Sequence, residues 1–326
     1  MPATPSVLRR TLGALRVTID DAAADVGAVQ VGSYGDEPRP HSVVRLTGGG
    51  AVGRGEHVGW TVAAHERCRD RSLPLIPRGA WRLDEWSAAL AAAVPEPYDR
   101  AAAEAAAIDL ALRQHETTMF ALADCEAQPI HYVVSFAQVA DPAAEARRTG
   151  DVALKIDADP TWADATFAAL SAAGRVAVLD WKGGGSRADH ERAHRLLPDA
   201  LMEDPSWDMA PWSPGLTRRL SADAPVLRAI DLDRLPVAPA AVNLKAARMG
   251  GVFELLAAAA TCAARGIAVY LGGMFELDVG RRQLQALAAL LSPDGPNDVA
   301  PIARTGAPAP RPERLAVDGR TPGFGP

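Results

Sequence analysis

Five charged residues, Lys155, Asp180, Glu203, Asp223 and Lys245, each stand at or just inside the end of a short apolar run, about 20–25 residues apart. The runs read DVALKID, RVAVLD, ALMED, RLSAD and AAVNLK. Three carboxylates flanked by two lysines could hold a hard divalent cation and set an acid/base group on each side of a bound carboxylate. Hard oxygen donors favour Mg²⁺, which makes Asp180, Glu203 and Asp223 the candidate ligands of one such ion. A lysine inside an apolar run (VALKI, VNLKA) is costly to bury unpaired, and burial lowers its pKa toward values at which it can take or return a proton. Lys155 and Lys245 are therefore the candidate catalytic pair, able to address the two faces of one planar intermediate.

The interval between these residues is that of one strand, one loop and one helix. That is the repeat of a parallel α/β barrel, whose strands all end at one mouth. From about residue 130, HYVVSF, VALKI, RVAVL, ALM, RLSA, AAVNL and GIAVYL read as short buried strands. They alternate with helical stretches such as TWADATFAALSAAG, RADHERAHRLL, GGVFELLAAAATCAARG and GRRQLQALAALL. This order fits a barrel or an open doubly wound sheet. Pro205, Pro211 and Pro214 leave little room for a full helix between Glu203 and Asp223, so a shortened or irregular connection is expected there. Ahead of the repeats, VGAVQVGSY, HSVVRLTGG and a third run after the glycines of TGGGAVGRGEHVGW read as strands. Residues 83–93 and 101–114 read as helices, which makes this first part α+β.

The bulk composition narrows the setting. A chain of 326 residues, 48% apolar and 23% charged, has enough interior for a full core of a soluble protein. A net charge of −6 with no basic block argues against a nucleic-acid partner. The longest apolar stretch, VFELLAAAATCAA, carries Glu254 and is too short for a bilayer span, so no membrane partner is expected. Cys68, Cys125 and Cys262 are too few and too dispersed for a disulfide framework or a zinc site. Cys262 reads as a buried helix residue. MPATPSVLRRTLGAL lacks the apolar core of a secretory signal, so a cytoplasmic location is the default. The oligomeric state is left open, a homo-oligomer included.

Several motifs, taken in chain order, carry a resemblance. ALKIDAD at 153–159 is similar to a second-strand K-x-K-x-G-A-D motif, with Lys155 on its second lysine and Ala153 in place of the first. LMEDPSW matches a fourth-strand E-[DE]-P motif at Glu203, and SADAPV resembles a fifth-strand A-D-E-S-V motif at Asp223. VNLKAARMGGV is close to the sixth-strand motif that supplies an opposing lysine, here Lys245. GGMFELDVGR resembles the seventh-strand G-G-M-x-E-x-x-x-G-R, carrying Glu276, and GRGEHVGW matches a G-x-G-E hairpin. On these motifs the chain resembles the enolase superfamily, in the branch of muconate-lactonising enzymes, o-succinylbenzoate synthases, N-acylamino-acid racemases and dipeptide epimerases.

The resemblance implies a modified TIM barrel, (β/α)7β, under an N-terminal α+β capping domain. The expected division is a cap over 1–128, with helix 101–114 leading into the barrel, a barrel over 129–303, and a tail over 304–326 that packs on the cap or is partly disordered. The implied chemistry is removal of the proton α to the carboxylate of a small-molecule substrate, with Mg²⁺ stabilising the enediolate. Two acting lysines make a racemase or epimerase, and one acting lysine makes a β-elimination lyase of the o-succinylbenzoate-synthase type. A barrel that has lost the chemistry and survives as a binding or scaffold protein is the third reading. Ser33, Tyr34 and the loop 35–41 are expected to close over the mouth and set specificity.

The departures are specific. The usual third-strand D-x-N reads LDWKGGG, which puts Lys182 two residues after Asp180. A further cation there weakens metal binding unless it points away or grips a substrate anion. The Glu of the fifth-strand motif is Ala224. Where dipeptide epimerases carry an eighth-strand D-x-D motif, LSPDGPND offers Ser292 and Asp294. Gly183–Gly185 could cradle an anion through backbone amides, though glycines more commonly make a turn. His190 and His194, four residues apart with Glu191 and Arg192 between them, read as a solvated helix face.

Overall fold

The computed structural model describes residues 3–29, 31, 38–137, 139–302 and 311–325. Ser33 and Tyr34, with most of their loop, lie outside the described residues. The first part of the chain opens with helix Pro5–Ala14 and the short strand β1 (Arg16–Ile19). An antiparallel meander follows, β2 (Asp21–Val29), β3 (Arg39–Gly48) and β4 (Ala51–His57), while β5 (Gly79–Arg82) returns to pair with β1. Helices Leu83–Ala93 and Pro97–Gln114 complete this layer.

The sequence of β4 shows why it sits where it does. A Cβ on Gly53 would lie 2.1 Å from the carbonyl oxygen of Ala106, and one on Gly55 2.1 Å from that of Ala102. Only glycine lets the strand press its backbone onto helix Pro97–Gln114. That contact delivers Glu56, which follows in GRGEH, to the barrel. Its carboxylate accepts from the backbone amides of Leu277, Asp278 (2.9 Å) and Gly280 (2.9 Å), capping helix Val279–Leu291 from outside.

The second part is a parallel sheet of seven strands in sequential order: β6 (Val133–Phe136), β7 (Ala153–Asp157), β8 (Val176–Asp180), β9 (Leu201–Glu203), β10 (Leu220–Ala222), β11 (Ala241–Leu244) and β12 (Ala268–Leu271). Closure is made by two residues. Asn297 bridges Tyr132 beside β6, and Asp298 bridges Gly272 beside β12, both in parallel sense. The buried Asn297 side chain accepts from the Leu271 amide (2.9 Å) and donates to the carbonyl of His131 (3.0 Å), stitching the seam. The result is the expected (β/α)7β barrel with its eighth strand reduced to a dipeptide. Between β9 and β10 the proline-rich segment forms just the 3-10 turn Trp207–Met209 and the four-residue helix Pro214–Thr217.

Among the described residues two large apolar clusters, with a small third one at the mouth, fill the interior. One joins the cap (Leu8, Leu12, Ile19, Leu46, Trp86) to Val242, Leu244 and Leu271 of β11 and β12 and to helix Val252–Ala264, where Cys262 is buried. The other surrounds β7 to β9 through Leu154, Ile156, Phe167, Leu179, Met202 and Trp212. At the mouth, Val58 just after β4 packs with Ala247, Tyr98 and Met274, so the cap lies over the strand ends. Within residues 311–325 the tail runs back across the cap, burying Phe324 and donating its amide to Asp109 of helix Pro97–Gln114 (2.8 Å). Among the described residues no helix is long and apolar enough to cross a membrane.

Candidate active site

Adjacent parallel strands in register bring the acids together. Asp180 ends β8 opposite Glu203, which ends β9, and Asp223 stands one residue past β10. All three are buried, and each offers an oxygen within 4.8 Å of the others. Isolated, such a cluster would be strongly self-repelling. Four cations answer it. Lys155, inside β7, bonds to Glu203 and lies 3.2 Å from Asp180, and the carboxylate of Asp298 at the seam is 4.0 Å away. Lys182 bonds to Asp180. Lys245, the residue after β11, is 2.8 Å from Asp223, and Arg248 bonds to the same carboxylate and to the Asp223 carbonyl (2.7 Å).

The floor of the site is neutral and polar. Tyr270 on β12 donates its hydroxyl to Glu203 and exchanges a hydrogen bond with Ser221 on β10 (2.8 Å), while Asn243 on β11 reaches Glu203 at 3.4 Å. A Cβ on Gly272 would meet Asn243 Oδ1 at 2.3 Å and Lys245 Cε at 2.7 Å. The glycine after β12 therefore leaves the space that the Lys245 stem occupies. Asp204 takes the left-handed backbone (φ 42°) and accepts from the amides of Asp223 and Ala224, both at 2.8 Å, which fixes the backbone carrying Asp223.

Charge placement sets the proton affinities. Burial alone would raise the Asp180 carboxyl, but Lys155 and Lys182 outweigh it and hold it below its ordinary value. Burial is likewise overcome at Asp223 by Lys245 and Arg248. At Glu203 burial prevails, with Asp223 and Asp180 adding to it, and its carboxyl is pushed up despite Lys155. Lys155 departs from the sequence expectation. Burial works to lower its pKa, yet Glu203, Asp180 and Asp298 around the ammonium raise it well above the ordinary lysine value. The neighbours, invisible in the run VALKI, reverse the sign.

Of the other residues singled out from sequence, Glu276 is buried just past β12 and accepts from the Met274 amide (2.9 Å), shaping the loop over the mouth. Lys182 neither points away nor stands free, since it is held between Asp180 and Asp157 (3.1 Å). Asp294 is a correction. It is exposed, pairs with Arg314 (2.6 Å) beside Pro129, and so lies at the opposite end of the barrel from the mouth. The eighth-strand acid at the mouth is Asp298 instead. Gly183 and Gly184 form a turn. Their amides go to the carbonyls of Asp204 and Trp181, and the carbonyls of Gly183, Gly184 and Gly185 gather on the Ser206 hydroxyl. His190 is buried rather than solvated. It is stacked between Trp181 (4.3 Å) and Trp212 (5.2 Å) and accepts from the Ser206 amide.

The donor set fits a hard divalent ion: three carboxylates converge within a few ångströms on a polar, buried floor. Asp180, Glu203 and Asp223 are the residues that would hold it.

The structure is similar to the dipeptide epimerase of Methylococcus capsulatus crystallised with a Mg ion, with a TM-score of 0.80, 22% identity, and coverage of 94% of this chain and 99% of that one. It is similar to the muconate lactonizing enzyme of Klebsiella pneumoniae (TM-score 0.75, 22% identity, 94% and 96% covered). It is also similar to the 2-chloromuconate cycloisomerase of Rhodococcus opacus 1CP (TM-score 0.75, 20% identity, 95% and 96% covered). No curated protein sequence matches the chain. The fold is therefore that of the enolase superfamily. Residues 10–122 match the N-terminal domain and residues 126–304 the C-terminal domain of a domain of unknown function, DUF8230, and the chain belongs to that family.

Proposed function

We propose that the protein is a divalent-cation-dependent acid/base enzyme that removes the α-proton of a carboxylate substrate between Lys155 and Lys245, as a racemase or epimerase. One observation carries this reading: the two lysines bracket the carboxylate triad, Lys155 against Asp180 and Glu203, and Lys245 against Asp223. An α-proton of a carboxylate is very weakly acidic, so its removal needs concentrated positive charge around the nascent enediolate. Asp180, Glu203 and Asp223 would hold a Mg²⁺ ion, which would supply that charge and would offset the acidic field around Lys155. Lys155 and Lys245 each act as base toward one antipode and as acid toward the other. Asn243 and Tyr270 hold Glu203 in place, and Asp204 holds the backbone of Asp223. The similarity to a Mg-bound dipeptide epimerase supports the choice of ion and of reaction class. The substrate is a small carboxylate, and the cap completes the pocket above it.

The unequal surroundings of the lysines favour a second reading. Lys155 is enclosed by three acids, whereas Lys245 meets one. A β-elimination with Lys245 as the base and Lys155 as a fixed cation uses that asymmetry. Both readings are tested by incubating N-acyl amino acids, dipeptides and β-hydroxy acids with the protein and Mg²⁺ in D₂O. Deuterium at the α-carbon that is abolished in the Lys155→Ala, Lys245→Ala double variant is the expected result, and loss of the β-substituent identifies the lyase. Exchange undiminished in the double variant sinks the two-lysine mechanism.

A further inference from the structure

We propose that Lys182 is a tethered counter-ion that competes with the divalent cation for Asp180 and gives way by moving onto Asp157, so that the Lys182–Asp157 pair sets how tightly the protein holds its metal. The inference rests on the reading of Asp180, Glu203 and Asp223 as a metal site and adds to it a competitor built into the chain.

The geometry begins with strand register. Asp157 of β7 is paired with Asp180 of β8, so both carboxylates project from the same face on neighbouring strands. Lys182 follows Asp180 by two residues in the left-handed conformation (φ 51°), which curls its side chain back over both. Its amide donates to Asp180 Oδ1 at 3.1 Å and its ammonium to Oδ2. The same ammonium is 3.1 Å from Asp157 Oδ1. The lysine is thus already between its two stations.

Exposure singles it out among the cations of the site. The Lys182 side chain is 58% exposed, against 2% for Lys155, 11% for Lys245 and 18% for Arg248. Lys155 cannot leave the triad without stranding a buried charge, and Lys182 can. A cavity of about 370 Å³, lined by Ala137, Asp157, Ala158, Trp181 and Lys182, gives it room. A metal ion and an ammonium sharing one buried carboxylate repel each other. Asp157 keeps the displaced ammonium paired. These two residues are also departures from the motifs, Asp157 standing at the glycine of K-x-K-x-G-A-D and Lys182 at the asparagine of D-x-N. The two departures touch each other.

The test is the affinity of the intact chain for Mn²⁺, read by electron paramagnetic resonance of the free ion and repeated calorimetrically with Mg²⁺. Lys182→Asn, which tolerates the left-handed backbone, and Lys182→Met should each tighten binding about tenfold, while Lys182→Arg should not. Asp157→Asn should weaken binding roughly fivefold, and much less in the Lys182→Asn background. Unchanged or weaker binding by Lys182→Asn overturns the proposal. So does an Asp157→Asn effect of equal size in both backgrounds, because Asp157 would then act only through its general negative field. Failure of both wild type and Lys182→Asn to bind Mn²⁺ removes the metal reading and this proposal together. Binding with the expected affinities but no α-proton exchange removes the proposed reaction and supports this proposal.

Discussion

Tyr270 on β12 donates its hydroxyl to Glu203 on β9, three strands away across the barrel interior, and the two residues are wholly or almost wholly buried. The phenol also meets Ser221 on the intervening β10 (2.8 Å). One side chain thus fixes the central acid of the triad from below. Tyr270→Phe should cost about 1–3 kcal/mol of stability, because it leaves a buried carboxylate and a buried hydroxyl short of a partner. It should also weaken Mn²⁺ binding. Urea unfolding and a Mn²⁺ titration check both, and a variant unchanged in each would show that Glu203 is held by Lys155 and Asn243 alone.

The two lysines should separate by the handedness of the substrate. If each serves one face, a single Lys→Ala variant should lose interconversion by roughly 10²–10⁴-fold. It should still wash deuterium into whichever antipode faces the surviving lysine. Proton NMR of resolved antipodes in D₂O reads this directly. Equal loss of exchange from both antipodes in each single variant would exclude independent bases.

Glu56 should matter to the joint between cap and barrel. Its carboxylate serves three backbone amides at the start of helix Val279–Leu291. Glu56→Ala orphans them and should destabilise the protein by about 2–4 kcal/mol. Hydrogen exchange at residues 277–280 should quicken first. Retained protection there would show that another group caps the helix.

His65 should give the stability a pH dependence of known sign. It is fully buried, with Nδ1 2.7 Å from Ser42 Oγ and 3.4 Å from His57 Nδ1, and Nε2 2.9 Å from the Gly59 carbonyl. Burial, with His57, His41 and Arg39 adding repulsion, lowers its pKa from 6.5 to about 4, against the hydrogen bond to Gly59. The folded state therefore resists a proton that the unfolded chain accepts. Above pH 6.5 the residue contributes nothing, and stability falls as pH drops from 6.5 toward 4, by on the order of 2–3 kcal/mol. Denaturation at several pH values should show this slope in the wild type and a shallower one in His65→Gln. Parallel slopes would remove His65 as the cause.

Legibility in the sequence followed element length and neighbourhood. Asp180, Glu203 and Asp223 could be read because a charged residue closing a short apolar strand is conspicuous, and the repeat of such ends is the barrel itself. Tyr270 could not, since an aromatic inside GIAVYL is indistinguishable from core. Arg248 sits in helix Ala246–Met249, four residues long and without a measurable period. The closing dipeptide Asn297–Asp298 is shorter than any pattern, so the sequence points to Asp294 rather than to Asp298 as the eighth-strand acid. The sign of the Lys155 shift depends on Glu203, Asp180 and Asp298, residues 25 or more positions away in the chain. Glu191 and Arg192 suggest a wet face for His190, whereas Trp181 and Trp212 cover it.

The division of the interior into two apolar clusters bears on the site as a whole. Lys155, Asp180 and Glu203 stand on strands lined by the cluster around β7 to β9. Lys245 follows a strand whose core residues belong to the cluster shared with the cap. The gap between the lysines therefore lies where the two clusters meet, along β10, whose Leu220 belongs to one and Ala222 to the other. A slip of a few tenths of an ångström along it would retune the distance across which a proton must travel while leaving every strand intact.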